Sequence, residues 1–99
     1  MNVAIVAITG PGVLRARDLG RALPDSTVYY PEKHARPTDE RVYRGPVADL
    51  LPDLFAEYKG LVCIMATGIV VRTLAPHLKG KHLDPAVVVM DEKGQHAIS

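Results

Sequence analysis

Leu61-Val62-Cys63-Ile64-Met65-Ala66-Thr67-Gly68-Ile69-Val70-Val71-Arg72-Thr73-Leu74-Ala75-Pro76, residues 61–76, decides the fold of this 99-residue chain. Leu61 to Met65 is apolar without alternation, the pattern of a central strand covered on both faces. Thr67-Gly68 then opens a helix, with Thr67 a candidate cap. Pro76 cannot continue that helix without losing a backbone hydrogen bond. The spacing therefore predicts two turns, then a kink or fresh start through His77-Leu78-Lys79-Gly80. Arg72 is out of place in this pattern. It lies one turn inside the helix, where the positive end of the dipole disfavours a cation. Either an anion faces it or it points into water.

Working outward, the same alternation of strand and helix recurs. Upstream, Pro46 stands at a helix start and precedes Val47, Leu50, Leu51, Leu54, Phe55 and Tyr58. That apolar stripe is backed by Asp49, Asp53 and Glu57, with Pro52 interrupting the first turns and Gly60 expected to end the helix. Val3 to Ile8 reads as a buried strand closing on the tight loop Thr9-Gly10-Pro11-Gly12, and helical spacing follows from Val13 until Pro24. Thr27 to Tyr30 is a brief second strand, and Pro31 to Gly45 has no periodicity and reads as a loop. Downstream, Ala86 to Met90 is a fourth strand. Asp91-Glu92-Lys93-Gly94 turns into Gln95-His96-Ala97-Ile98, which alternates like one arm of a hairpin.

These elements define a single α/β domain over residues 1–99. They predict a three-layer, mainly parallel, Rossmann-like sheet with helices on both faces and a C-terminal hairpin. Ligands of such sheets lie beyond the carboxyl ends of the strands. Here that rim comprises Thr9 to Gly12, Pro31 to Lys33, Ala66 to Gly68, and Asp91 with Glu92.

Composition excludes several classes of function. Hydrophobic residues are 47% and charged residues 23%, the usage of a packed globular protein. A net charge of +1 gives no footprint for nucleic acid or an acidic membrane, so anion recognition has to be local. The apolar N-terminus is too short to span a bilayer and lacks a basic leader, which points to the cytoplasm. Cys63, the single cysteine, sits in an apolar run and is expected to be a buried, reduced thiol.

Each candidate for chemistry has a plainer reading beside it. Gly10, within Thr9-Gly10-Pro11-Gly12, is a turn residue or a contact to an anion; the stretch lacks the third glycine and the lysine of a phosphate loop. Thr67 and Gly68 are a capped helix start or, with free amides and no Cβ at Gly68, a receptor for a carboxylate. Arg72 is solvated or curls back over that start with a fork suited to a carboxylate. Asp91 and Glu92 are turn residues or a general acid and base at the sheet edge. His34, His77, His82 and His96 lack metal-ligand spacing, and no nucleophile elbow exists.

The run Ile64-Met65-Ala66-Thr67-Gly68-Ile69-Val70-Val71-Arg72, with Ala75-Pro76 behind it and the segment from Lys81-His82-Leu83-Asp84-Pro85 through Val89-Met90-Asp91-Glu92-Lys93-Gly94 after it, resembles the amino-terminal part of the CbiG family. These are the cobalt-precorrin-5A hydrolases of anaerobic cobalamin (vitamin B12) biosynthesis. The resemblance is strongest from Gly60 to Ser99. It implies a hydrolase that opens the lactone of a cobalt-bound macrocycle and releases a two-carbon unit as acetaldehyde, giving cobalt-precorrin-5B. It also implies a cobalt-corrinoid substrate, whose carboxylate arms the candidates Thr67, Gly68, Arg72 and Gly10 are expected to meet, with Asp91 or Glu92 expected in acid-base work. The cobalt arrives within the substrate, so no protein-bound cofactor or metal is expected, nor a nucleic-acid or membrane partner; a homo-oligomer stays open. Family members continue past Ser99 into a Leu-Leu-Ser-Gly-His type segment and further domains. The expectation is therefore a truncated N-terminal domain, doubtful as a catalyst alone. The rival reading is a non-catalytic module that binds tetrapyrrole or mediates assembly.

Overall fold

A computed structural model describes residues 2–80, 82–93 and 97–98 of the chain. Its elements alternate as expected: β1 Val3–Ala7, α1 Gly10–Ala22, β2 Ser26–Pro31, β3 Val42–Tyr43, α2 Val47–Glu57, β4 Gly60–Ile64, α3 Thr67–Leu74, β5 Ala86–Met90 and β6 Ala97–Ile98. Single turns of 3-10 helix, Glu32–His34 and Ala75–His77, follow β2 and α3.

One sheet of order β3-β2-β1-β4-β5-β6 holds these strands, parallel except for β6, which runs antiparallel beside β5. The register of β1 with β4, Val3 opposite Gly60 and Ala7 opposite Ile64, makes them the two central strands. Each has a parallel neighbour on its other side, β2 and β5.

Alternation along the strands sorts the core into two layers, because successive side chains of a strand point to opposite faces. Ala4, Val6, Leu61 and Cys63 pack with Leu51, Leu54 and Phe55 of α2 and Val70 and Leu74 of α3. Ile5, Ala7, Val62 and Ile64 pack with Val13 and Ala16 of α1. Helices therefore cover both faces, and the continuous apolar reading of residues 61–65 follows from burial on two sides: every residue of β4 is buried.

Local chemistry places the helix starts. Thr9 is the N-cap of α1, its hydroxyl oxygen accepting from the amide of Gly12 at 3.1 Å. Pro11 then falls in the first turn, where its missing N–H costs nothing. Gly12 is a point of close approach: a Cβ there would lie 3.1 Å from Thr9 Oγ1 and 3.5 Å from both Ala7 and Ile64. The helix thus begins at Gly10, three residues before its expected start, and Gly10 to Gly12 is its first turn.

Three other expectations need correction. The N-cap of α3 is Ala66, and Thr67 is the first helical residue, with no side-chain cap bond. Gly60 does not terminate α2, which ends on Tyr58 in extended conformation, and Gly60 begins β4. Residues 31–45 hold the 3-10 turn and β3, because Arg17 and Asp39 pin this segment to α1 through two 2.8 Å hydrogen bonds. The C-terminal hairpin, by contrast, is borne out: β6, Ala97–Ile98, lies antiparallel to β5, while Gly94, Gln95 and His96 lie outside the described residues.

Candidate functional site

The strand order turns at β1 and β4: the chain winds from β1 outward to β2 and β3, then from β4 outward to β5. Loops leaving the carboxyl ends of two such strands diverge to opposite faces and leave a crevice between them, the usual ligand position in open α/β sheets. A cavity of about 430 Å³ occupies that place. Ile8 and Thr9 line it from the end of β1, Met65, Ala66 and Ile69 from the end of β4 and the start of α3, and Asp91 and Glu92 from the end of β5.

Its wall is mostly apolar, with carboxylates at one side. Thr9 Oγ1 donates to Glu92 Oε2 at 2.7 Å, across the end of β4. Asp91 Oδ1 accepts from the amide of Lys93 at 3.1 Å, and Arg15 Nη2 donates to the carbonyl of Lys93 at 2.8 Å. The acid-bearing turn is therefore folded on itself and tied to α1. On the other side of β1, Tyr43 reaches over β2 and donates to the Ala7 carbonyl at 2.7 Å, holding the end of β1 in place.

The structure divides the sequence candidates among neighbouring places on the rim. Asp91 and Glu92 share the crevice. Gly68 and Arg72 meet one another: a Cβ on Gly68 would stand 3.5 Å from Arg72 Nη1, so the guanidinium folds back toward the start of its own helix. Arg72 is exposed, and no described carboxylate lies within ion-pair distance of it. The amides of Thr67 and Gly68, in the first turn, have no intrahelical acceptor, whereas that of Ile69 bonds to the Ala66 carbonyl at 3.1 Å. Thr67 itself lines a different place, an apolar groove of about 240 Å³ shared with Phe55, Val71, Leu74 and Val89. Gly10 lies beside His34, whose ring atoms would be 3.6 Å from a Cβ added there.

Sequence reasoning put Thr9 on the rim but gave it no role, missed Tyr43 there and left His34 unplaced. Thr9 before Gly-Pro carries a readable N-cap signal. Its bond to a residue 83 positions later carries none, and neither does the reach of Tyr43 across a strand. Among the described residues no cluster of three potential metal ligands occurs, and no helix is long and apolar enough to cross a membrane.

A doubly wound, mainly parallel sheet with a crevice at its switch point, and beside it a guanidinium that no described acid balances, makes this a Rossmann-like α/β domain. Residues 49–99 match the family described as Cobalamin synthesis G N-terminal, and the chain belongs to that family. Over 99% of its length it is 49% identical to a cobalt-precorrin-5A hydrolase of Priestia megaterium and 42% identical to one of Salmonella typhimurium. The chain spans 27% of the length of each of these relatives. A solved structure of a cobalamin biosynthesis protein G homolog from Sulfolobus solfataricus matches 97% of this chain with a TM-score of 0.61, over 27% of that protein. At 19% identity that likeness supports the fold alone.

Proposed function

We propose that the chain is the amino-terminal domain of a cytoplasmic cobalt-precorrin-5A hydrolase and that its sheet rim holds the corrin substrate. The family and two relatives of that name, matched along almost the whole chain, support the reading. The observation that carries the binding role is Arg72, folded back over Gly68 beside first-turn amides without acceptors. Two sources of positive potential converge there with no described acid to balance them, so a carboxylate arm of the macrocycle completes the site. The crevice next to it is apolar enough to take the edge of the ring.

In this reading Glu92 or Asp91 takes a proton from water as its oxygen bonds to the lactone carbonyl carbon. The acyl C–O bond then breaks and the departing alkoxide is protonated; the two-carbon unit leaves as acetaldehyde when this hydroxyl gives up its proton and becomes the aldehyde C=O, the C–C bond to the macrocycle breaks, and the ring carbon that keeps the electron pair takes a proton. The cobalt belongs to the substrate, and the domain contributes binding, orientation and a proton acceptor. One feature favours a second reading, in which this domain binds the corrin and other parts of the longer protein perform the chemistry. Among the described residues no polar or charged residue is fully buried, so neither acid is shielded from water.

Titration of the chain with a stable carboxylated cobalt corrinoid tests the binding role. Saturable binding is expected, weakened roughly tenfold by Arg72→Ala, the loss of about one charge-assisted contact. Equal affinity of the two proteins would remove Arg72 from the site. Acetaldehyde release by the full-length protein, lost on Glu92→Gln and Asp91→Asn together, separates the hydrolase from the binding module.

A further inference from the structure

We propose that Thr9 is a positioning residue for Glu92, so that the acid assigned to proton transfer is held at the crevice by the N-cap of α1. The inference rests on the hydrolase reading and adds a residue to it. Glu92 follows β5 and Thr9 follows β1, and β4 lies between these two strands in the sheet. The 2.7 Å bond from Thr9 Oγ1 to Glu92 Oε2 therefore spans two strand spacings, about 10 Å. Met65 and Ala66, at the end of the intervening β4, line the same crevice as Thr9 and Glu92.

The geometry of Thr9 makes the hold directional. Its hydroxyl oxygen accepts the Gly12 amide at 3.1 Å, which leaves the hydroxyl hydrogen to donate to the carboxylate. Amide, hydroxyl and carboxylate thus form a relay anchored in a helix whose first turn packs against the sheet at Gly12. The bond from Arg15 to the Lys93 carbonyl is a second tie between the same helix and the same turn. With Oε2 engaged, Oε1 is the oxygen left to receive a proton from water. An exposed glutamate without such a hold would sample many rotamers, and a catalytic group needs one.

Thr9 also caps α1, so the test has to separate position from stability. Three substitutions in the full-length protein do this. Thr9→Ser keeps both the cap and the donor. Thr9→Asp keeps a good cap but offers Glu92 no hydrogen. Thr9→Val removes both. The expected result is acetaldehyde release with kcat lowered about tenfold or more in Thr9→Asp and Thr9→Val, KM unchanged within about twofold, and activity retained in Thr9→Ser. On a Glu92→Gln background, Thr9→Val should cause no further loss, because the residue it positions is already disabled.

Wild-type rates in Thr9→Asp and Thr9→Val, or a full multiplicative loss in the double variant, would overturn the proposal. Wild-type protein that releases no acetaldehyde would sink the hydrolase reading instead, and the catalytic role of Thr9 with it. The bond itself is read independently in the 99-residue chain. Exchange of H₂O for D₂O should give an isotope shift at the Glu92 carboxyl carbon that is present in the wild-type and Thr9→Ser proteins and absent in Thr9→Val. The same shift in all three would overturn the bond.

Discussion

Arg17 is held by two partners that sequence distance conceals. Its guanidinium meets both carboxylate oxygens of Asp39 at 2.8 Å, and its central carbon stands 4.3 Å above the ring of Tyr30. The two charged side chains are only 10% and 6% exposed, so losing either would leave the other a poorly solvated, unpaired charge. Arg17 holds the Asp39 carboxyl below the usual carboxylate range, with the Arg36 amide assisting. At the other end of the scale, burial pushes the Cys63 thiol and the Tyr43 phenol up to about 12. The signs of these shifts fix how stability depends on pH. A lowered carboxyl stabilises the fold above its unfolded value and loses that effect as the pH falls through its folded one. A raised thiol or phenol stabilises below its unfolded value and loses that effect as the pH rises toward 12. Urea midpoints should therefore be level near neutrality, fall below about pH 4 and fall again above about pH 9. In Asp39→Asn the acid limb should flatten while neutral stability drops by about 2 kcal/mol. In Cys63→Ala the gap to wild type should narrow above about pH 9. A gap that widens there would contradict the buried thiol. The identity of Cys63 as a buried residue was legible from its apolar neighbours, whereas the partner of Arg17 was not, since nothing local marks Asp39 among the charges of residues 32–44.

At the scale of elements, close packing between α1 and β2 turns on one glycine. A Cβ on Gly20 would lie 2.7 Å from Val28 Cγ2, nearer than atoms of that kind approach. Alanine would raise the helix propensity of α1 by about 1 kcal/mol, yet the β-branched valine is stiff and sits in a strand that cannot retreat. Gly20→Ala should accordingly lower stability by about 1–2 kcal/mol, and Val28→Ala on the same background should recover part of the loss. A stabilised Gly20→Ala protein would show that α1 can shift away from the sheet. Periodicity revealed the existence of α1, α2 and α3, because each has an apolar stripe. Their starts were less legible, since a start depends on which backbone group finds a partner. Thr9 uses its hydroxyl as a cap and moves the start of α1 back to Gly10. Ala66 offers none, which leaves the first amides of α3 open. Pro52 is tolerated inside α2 beside exposed Ala48, whose carbonyl can turn to water.

For the whole molecule, continuous apolar runs at residues 3–8, 61–65 and 86–90 announced a sheet buried on both sides, and the intervening helical patterns announced parallel strands. The order in which those strands lie, with β1 beside β4, sets the place of the crevice, and the rim segments named from sequence all stand at carboxyl ends of strands. What the sequence could not supply was their grouping. Thr67, taken with Gly68 and Arg72 as one receptor, faces an apolar groove among α2, α3 and β5, while Thr9 joins the acids. Side-chain direction at a helix start depends on a rotation of one residue, and a cap misplaced from Ala66 to Thr67 is enough to exchange the two. The central claim, that the switch-point rim receives a carboxylated corrin, is tested most directly by mapping amide chemical shifts of the isotopically labelled chain during titration with such a corrinoid. Changes should concentrate at Ile8, Thr9, Ala66, Gly68, Ile69 and Glu92, and disappear at Gly68 and Ile69 first in Arg72→Ala. Shifts centred instead on Phe55, Val71 and Leu78, or none at saturating corrinoid, would contradict it.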